Sequence, residues 1–277
     1  MLSSNIEYFK PATIKEALEL FYFLKANNKR PIYYSGGTEI LTLGRLNLVE
    51  TDSLIDIKDL KECQLLEVNQ DYLITGASIT LTEIEEKNLF PLLSKTSMEI
   101  ADRTARNKIT LGGNLCGQIF YREAILPFLL CDSQVIVAGY NGLEAFPIEQ
   151  IFNQTLQLQD GQLLIQLVTE KKYMNLPNMS IKIRQQWDTG YPLLTIASIK
   201  LDNQLRFAFS GLCPFPFRSK QMETELNNTN SSVEERIQKA IQFIPGEILD
   251  DVEGSKEYRL FVLKNTLEKI MIEMEGR

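Results

Sequence analysis

The sequence contains no histidine. That absence removes serine–histidine–aspartate and cysteine–histidine mechanisms, and with them every histidine-ligated metal. Cysteine is scarce: Cys63, Cys116, Cys131 and Cys213 stand far apart and form no CxxC pair. Local spacing therefore supports neither a zinc site nor an iron–sulfur cluster, and reduced, buried thiols are expected. Positive charge is in deficit, 29 Lys and Arg against 36 Asp and Glu for a net −7. Nucleic acid is a poor partner for such a chain, because its phosphates select clustered cations. The longest apolar run, 124–131, is far short of the roughly 20 residues that a membrane span needs. The opening MLSSNIEYFKP lacks the basic-then-apolar pattern of a secretory leader. A soluble, cytoplasmic protein with no membrane partner is the expectation.

What remains is a chain of 277 residues, 44% hydrophobic, enough for one large domain or two modest ones. With no histidine to move protons, any catalysis would rest on a cofactor that the protein binds, orients and tunes.

Thr13 and Glu16 read as a capping box ahead of Ala17, Leu18, Phe21 and Leu24 at helical spacing. A short apolar strand at 31–34 leads into Ser35-Gly36-Gly37-Thr38, and a helical pattern covers 39–46. Residues 54–57 read as a strand, and 65–68 with 72–75 as a hairpin around Asn69-Gln70-Asp71. Helices are expected from Thr80 and over 90–104, then a glycine-bearing loop at 110–117 and an apolar helix near 122–130. Strands follow at 134–138 and 162–169. The polar segment 171–178, with its Pro177, marks a domain boundary. Beyond it, 181–185, 193–201 and 205–212 read as three antiparallel strands. Two helices close the chain, the last carrying Leu260, Leu263, Leu267, Ile270 and Met274 on one stripe.

Two loops point to chemistry: Ser35-Gly36-Gly37-Thr38 and Thr110-Leu111-Gly112-Gly113-Asn114. Paired glycines let backbone approach a ligand closely and take positive φ without strain. Successive N–H groups there, with hydroxyls beside them, make a concave seat for phosphate oxygens. Two such loops facing each other could hold a diphosphate without Lys or Arg. A lone Gly-Gly pair is more often a tight turn. Neither a GxxxxGK[ST] nor a GxGxxG motif is present, so neither a P-loop nor a Rossmann site is expected.

In context the loops say more. Tyr33-Tyr34-Ser35-Gly36-Gly37-Thr38-Glu39-Ile40 resembles the first FAD loop of the xanthine dehydrogenase flavoprotein family, and Thr110-Leu111-Gly112-Gly113-Asn114 resembles its second. Tyr8-Phe9-Lys10-Pro11, Leu54-Ile55-Asp56-Ile57 and Gly211 through Arg218 fit the same family in order, so the resemblance spans nearly the whole chain. It implies an α+β flavoprotein: a two-subdomain FAD-binding (PCMH-type) region at 1–172, divided near 57/58, then a C-terminal domain at 178–277. The latter would hold a three-stranded antiparallel sheet and helices.

The resemblance also implies roles. Tyr33 through Ile40 and Thr110 through Asn114 would bind FAD. Glu123 stands nine positions after the loop asparagine, where the family places an acidic cofactor contact, usually aspartate; a solvated charge at a helix start is the competing reading. Arg184 matches a basic position on the first strand of the second domain, with a surface role as its alternative. Leu164 falls where an apolar residue packs on the cofactor, core packing being the alternative. Trp187 and Tyr191 are candidates to lie over the ring system. The implied function is electron transfer within a molybdenum hydroxylase, from a [2Fe–2S] subunit and a molybdopterin-binding catalytic subunit to NAD⁺. Two other readings stay open: a stand-alone FAD-dependent oxidoreductase, and a cofactor-free scaffold of the same fold.

Overall fold

A computed structural model describes residues 6–185 and 190–276. The chain forms two compact units. One comprises Met1–Leu89, Arg103–Ile119 and Asp132–Lys171; the other comprises Phe90–Asp102, Phe120–Cys131 and Lys172–Arg277.

Among the described residues the first unit holds two principal sheets, besides the short pairing of Phe152–Asn153 with Thr155–Leu156. In the smaller one, Ser53–Asp56 lies between Glu7–Phe9 and Pro31–Tyr34, all parallel. Parallel neighbours need crossovers, and helix Ile14–Ala26 supplies the first. Thr13 Oγ1 accepts from the Glu16 amide at 3.1 Å, while Glu16 accepts from the Ala12 amide at 2.7 Å, a slightly shifted form of the expected box. The expected stripe of Ala17, Leu18, Phe21 and Leu24 is buried in one cluster with Ile55, Ile57 and Leu60. Burial of this kind is worth about 1.5–3 kcal/mol for each large apolar side chain.

The larger sheet is antiparallel, in the order Leu66–Val68, Tyr72–Gly76, Leu163–Glu170, Gln134–Gly139, Gly142–Pro147. The anticipated hairpin is its edge, and Asn69 Oδ1 closes the turn by accepting from the amides of Asp71 and Tyr72 at 3.0 and 2.7 Å. The opposite edge, Gly142–Pro147, escapes sequence reading because half of it is exposed and none of its residues is buried.

The second unit is built on an antiparallel sheet ordered Asn178–Ile183, Leu194–Leu201, Gln204–Ser210, Phe217–Arg218. The three expected strands are there, with a two-residue strand added at the edge. Helix Lys256–Glu275 buries Leu263, Leu267, Ile270 and Met274 into the same core as Phe207 and Phe209. The expected helix over 90–104 is divided: Pro91–Met98 ends, Ala101 takes φ +51°, and Arg103–Arg106 starts afresh. The break falls where the chain leaves the second unit for the first. Cys63, Cys131 and Cys213 are buried, but Cys116 is exposed, correcting one of the four expectations. Its helix, Leu111–Cys116, buries Leu111, Gly112 and Leu115, and Cys116 lies one step round from that face. Among the described residues no helix is long and apolar enough to cross a membrane.

Candidate functional site

The two glycine loops come together in the first unit. Strand Pro31–Tyr34 ends, the chain turns through Ser35, Gly36 and Gly37, and helix Thr38–Arg45 begins. Gly37 is the residue before the helix and takes φ +72°, a left-handed conformation that a side chain makes costly. Gly36 answers a different need. A Cβ there would overlap the carbonyl oxygen of Lys108 and come within 3.3 Å of the Thr110 nitrogen. The first loop therefore lies directly on the backbone that leads into the second.

A third segment locks the pair. Ser35 Oγ hydrogen-bonds Ser78 Oγ at 3.1 Å. The Leu111 amide donates to the Ile79 carbonyl at 2.8 Å and the Gly112 amide to the Ala77 carbonyl at 2.7 Å. A Cβ on Gly112 would sit 2.8 Å from that of Ala77, so Gly112 is there for close approach.

The loops differ in what they offer a ligand. Residues 110–117, expected as a glycine-bearing loop, form a capped helix instead: Thr110 Oγ1 accepts from the Gly113 amide at 3.3 Å at the head of helix Leu111–Cys116. The amides of Leu111, Gly112 and Gly113 are thus satisfied internally. The expectation of a donor-lined seat is corrected on this side, because the Thr110 N-cap takes one donor and the Ala77 and Ile79 carbonyls take the other two. Gly113 stays exposed, and its bare Cα faces only Thr110 Oγ1, 3.0 Å from where a Cβ would be. Helix Thr38–Arg45, in contrast, has no side-chain cap. By helix geometry the amides of Thr38, Glu39 and Ile40 lack intrahelical acceptors. They lie at the positive end of the helix dipole, which suits an anion.

Other loop residues serve as braces. Glu39 accepts from the Gln118 amide and, at 3.2 Å, from the Ile119 amide, tying its helix to the end of the second loop. Tyr33 turns to the core: its hydroxyl donates to the Gly161 carbonyl at 2.9 Å and its ring stacks on Phe21 at 5.1 Å, with burial pushing its phenol up. Tyr34 is half-buried beneath the Gly37 turn, and a Cβ on Gly37 would run into its ring. Ile40 and Asn114 are partly exposed, whereas Leu111 is wholly buried. Leu164 is buried on the central strand of the larger sheet, opposite Val137.

The second unit holds a separate polar cluster. Glu123 is 4% exposed, so it is not a solvated charge. Its carboxylate accepts from Lys182 Nζ at 2.7 Å and from Thr195 Oγ1 at 2.6 Å. Burial pulls the Lys182 ammonium below its usual range, and Glu123 opposes that pull. Lys182 also donates to the Glu99 carbonyl at 2.8 Å, and Arg184 donates to the Glu99 carbonyl and carboxylate at 2.6 Å each. Arg184 Nε is buried without a partner among the described residues. Sequence reading missed Lys182, Thr195 and Glu99, which lie far apart in the chain; the one usable signal was that Lys182 and Arg184 share a strand face at i, i+2. Tyr191 stacks on Tyr121 at 4.7 Å, and burial pushes the Tyr121 phenol up to about 12. Trp187 lies outside the described residues.

Comparison with known proteins bears on this arrangement. Residues 4–168 match the family model described as the FAD binding domain in molybdopterin dehydrogenase. The xanthine dehydrogenase FAD-binding subunit of Escherichia coli O157:H7 is 23% identical over 96% of this chain and 94% of its own length. The nicotinate dehydrogenase FAD-subunit of Eubacterium barkeri is 26% identical over 54% of this chain and 51% of its own. Among solved structures, a carbon monoxide dehydrogenase from Hydrogenophaga pseudoflava superposes with a TM-score of 0.85 at 18% identity, covering 97% of this chain and 96% of that one. Quinoline 2-oxidoreductase from Pseudomonas putida 86 gives 0.83 at 19% identity, covering 98% and 97%. These structural likenesses are ones of fold. The family match covers well over half the chain and includes both glycine loops, so this protein belongs to the FAD-binding family of the molybdopterin dehydrogenases, and FAD is its cofactor.

Proposed function

We propose that this chain is the FAD-carrying electron-transfer subunit of a multi-subunit molybdenum hydroxylase of the xanthine dehydrogenase kind. It would take electrons from a [2Fe–2S] subunit, fed by a molybdopterin-binding catalytic subunit, and deliver them to NAD⁺. The observation that carries the reading is the uncapped start of helix Thr38–Arg45, set by Gly36 directly against the Thr110 turn. That geometry suits a diphosphate. The amides of Thr38, Glu39 and Ile40 would meet its oxygens, with the Ser35 and Thr38 hydroxyls beside them. Gly37 lets the backbone turn without a side chain in the way, and the bare face of Gly113 with Asn114 would close the other side. Glu39 and Tyr33 hold these parts in place from behind. Glu123 and Arg184 are proposed as cofactor-side residues of the second unit, and Leu164 as apolar support.

When bound, FAD accepts electrons singly and gives them up as a hydride, which couples clusters to a two-electron acceptor. The chain's own contribution is binding and orientation. No residue of either loop need move a proton, in keeping with a sequence that has no histidine. Relatives named for xanthine, nicotinate, caffeine, carbon monoxide and nicotine share this subunit type. The oxidised substrate is therefore a property of the molybdenum partner. Xanthine is proposed here because two relatives that each align along 96% of this chain carry that name.

The test compares the isolated chain with the assembled complex. Alone, the FAD-loaded chain should pass electrons from NADH to a dye yet leave xanthine and hypoxanthine untouched. Added iron–sulfur and molybdenum subunits should give purine-dependent NAD⁺ reduction. Purine oxidation by the single chain, free of molybdenum and iron, would overturn the multi-subunit reading and favour a stand-alone oxidoreductase.

A further inference from the structure

Beneath the Gly37 turn lies a group of side chains that none of the roles above uses. Asp56 ends the central strand of the parallel sheet and is 1% exposed. A carboxylate so placed must be matched by donors, since an unpaired buried charge is heavily penalised. Three donors meet it: Lys58 Nζ at 2.7 Å, the Lys58 amide at 2.9 Å, and the Tyr8 hydroxyl. Burial alone would raise the Asp56 carboxyl, but these hydrogen bonds outweigh it and leave it below its ordinary value. The carboxylate is thus an ionised anchor that fixes where the Lys58 ammonium sits.

The ammonium has a second contact, 4.5 Å from the centroid of the Tyr34 ring. Tyr8 meets the same ring edge-on at 6.5 Å and 73°. Tyr34 is also the register partner of Asp56 across the sheet, and the Ile57 amide donates to its carbonyl at 2.9 Å. The ring is therefore held by a cation, by a neighbouring edge and by its own backbone. It fills the space that a side chain on Gly37 would need, so the ring's position sets how far the Gly37 turn can settle and where the following amides point.

We infer that Lys58, anchored by Asp56 and Tyr8, is a positioning residue for the FAD diphosphate, acting through the Tyr34 ring and the Gly37 turn without touching the cofactor. A cation on the ring face suits this role better than an apolar group, because its attraction to the ring is added to the ion pair that holds it. Arginine can make the same two contacts, whereas methionine keeps the length but has neither the charge nor the donors. This inference rests on the proposed placement of the diphosphate at the first loop.

The experiment uses the full chain, stripped of flavin and titrated with FAD, with the melting temperature of each flavin-free variant measured in parallel. Lys58→Met should weaken FAD binding about tenfold, a change of about 1.4 kcal/mol, chiefly through faster release. Lys58→Arg should restore affinity to near the parent, and Tyr34→Leu should weaken it as Lys58→Met does. Parental affinity in Lys58→Met would overturn the inference. So would a loss in Lys58→Met that Lys58→Arg fails to rescue, or one that merely follows a fall in flavin-free stability. Gly37→Val keeps the two claims apart. If that variant still binds FAD, the placement of the diphosphate fails; if it loses FAD while Lys58→Met keeps it, only the positioning role fails.

Discussion

Gly113→Ala separates a ligand surface from a mere turn, because its effects on fold and on cofactor should have opposite signs. Gly113 is exposed, lies within helix Leu111–Cys116 and does not need positive φ. Alanine there gains about 0.5–1 kcal/mol of helix propensity. The new methyl meets only Thr110 Oγ1, 3.0 Å away, so a shift of a few tenths of an ångström accommodates it. The flavin-free melting temperature should hold or rise by about 2 °C. The same methyl stands on the bare face proposed for the diphosphate. Displacing a phosphate oxygen from one charge-assisted hydrogen bond costs about 1.5–3 kcal/mol, or about 10- to 100-fold in affinity. Titration of the flavin-free chain with FAD, followed by quenching of flavin fluorescence, reads the second effect; thermal denaturation reads the first. Gly112→Ala is the control, since its Cβ would press on Ala77 and should lower stability itself. Unchanged FAD affinity in Gly113→Ala would refute the placement of the cofactor on this face.

Three further outcomes follow from the geometry. Glu123→Gln leaves the Lys182 ammonium buried without its carboxylate, with the Glu99 carbonyl still accepting from it, so unfolding free energy should fall by about 3–5 kcal/mol; a urea midpoint equal to the parent's would contradict the buried pair. The hydrogen bond to Asp56 holds the Tyr8 phenol up at about 12 from an ordinary 10.0. A raised folded value means that this stabilisation is whole below pH 10 and fades as pH rises toward 12, so Tyr8→Phe should show a shallower loss of stability across that window than the parent. Finally, acid precipitation should release all the flavin into the supernatant, because histidine is absent and three of the four cysteines are buried; yellow precipitate would indicate a covalent bond.

Much of the fold was legible because periodicity reports burial. The stripe of Ala17, Leu18, Phe21 and Leu24 and the stripe from Leu263 to Met274 bury the faces their spacing announced, and the hairpin around Asn69 pairs where it was expected. Strand Gly142–Pro147 and the division at Ala101 were invisible for the converse reason: one buries little, and the other answers to the path of the chain. At the site, the glycine pairs marked the right place, but equal motifs concealed unequal jobs. Gly37 supplies a turn, Gly36 and Gly112 supply close approach, and the Thr110 hydroxyl takes a donor that the motif appeared to offer a ligand. Glu39 shows the limit most plainly, since its partners lie 79 and 80 residues onward. No local pattern encodes them.

The alternation of the chain between its two units has a consequence for synthesis. Residues 103–119, which carry the second glycine loop, are bracketed by two segments that belong to the other unit. Those segments wait for partners made much later: Arg206 and Arg218 donate to the carbonyls of Leu130 and Leu129 across 76 and 89 residues, and Ser180 meets Thr96 across 84. On the ribosome, then, the second loop emerges between two tethers that cannot yet dock. A truncated chain ending near 172 would display Leu126, Phe128 and Leu130, all wholly buried in the finished protein, as adhesive surface. The last segment of the first unit, ending at Lys171, is thus made while two segments threaded between its own parts still lack the strands that bury them.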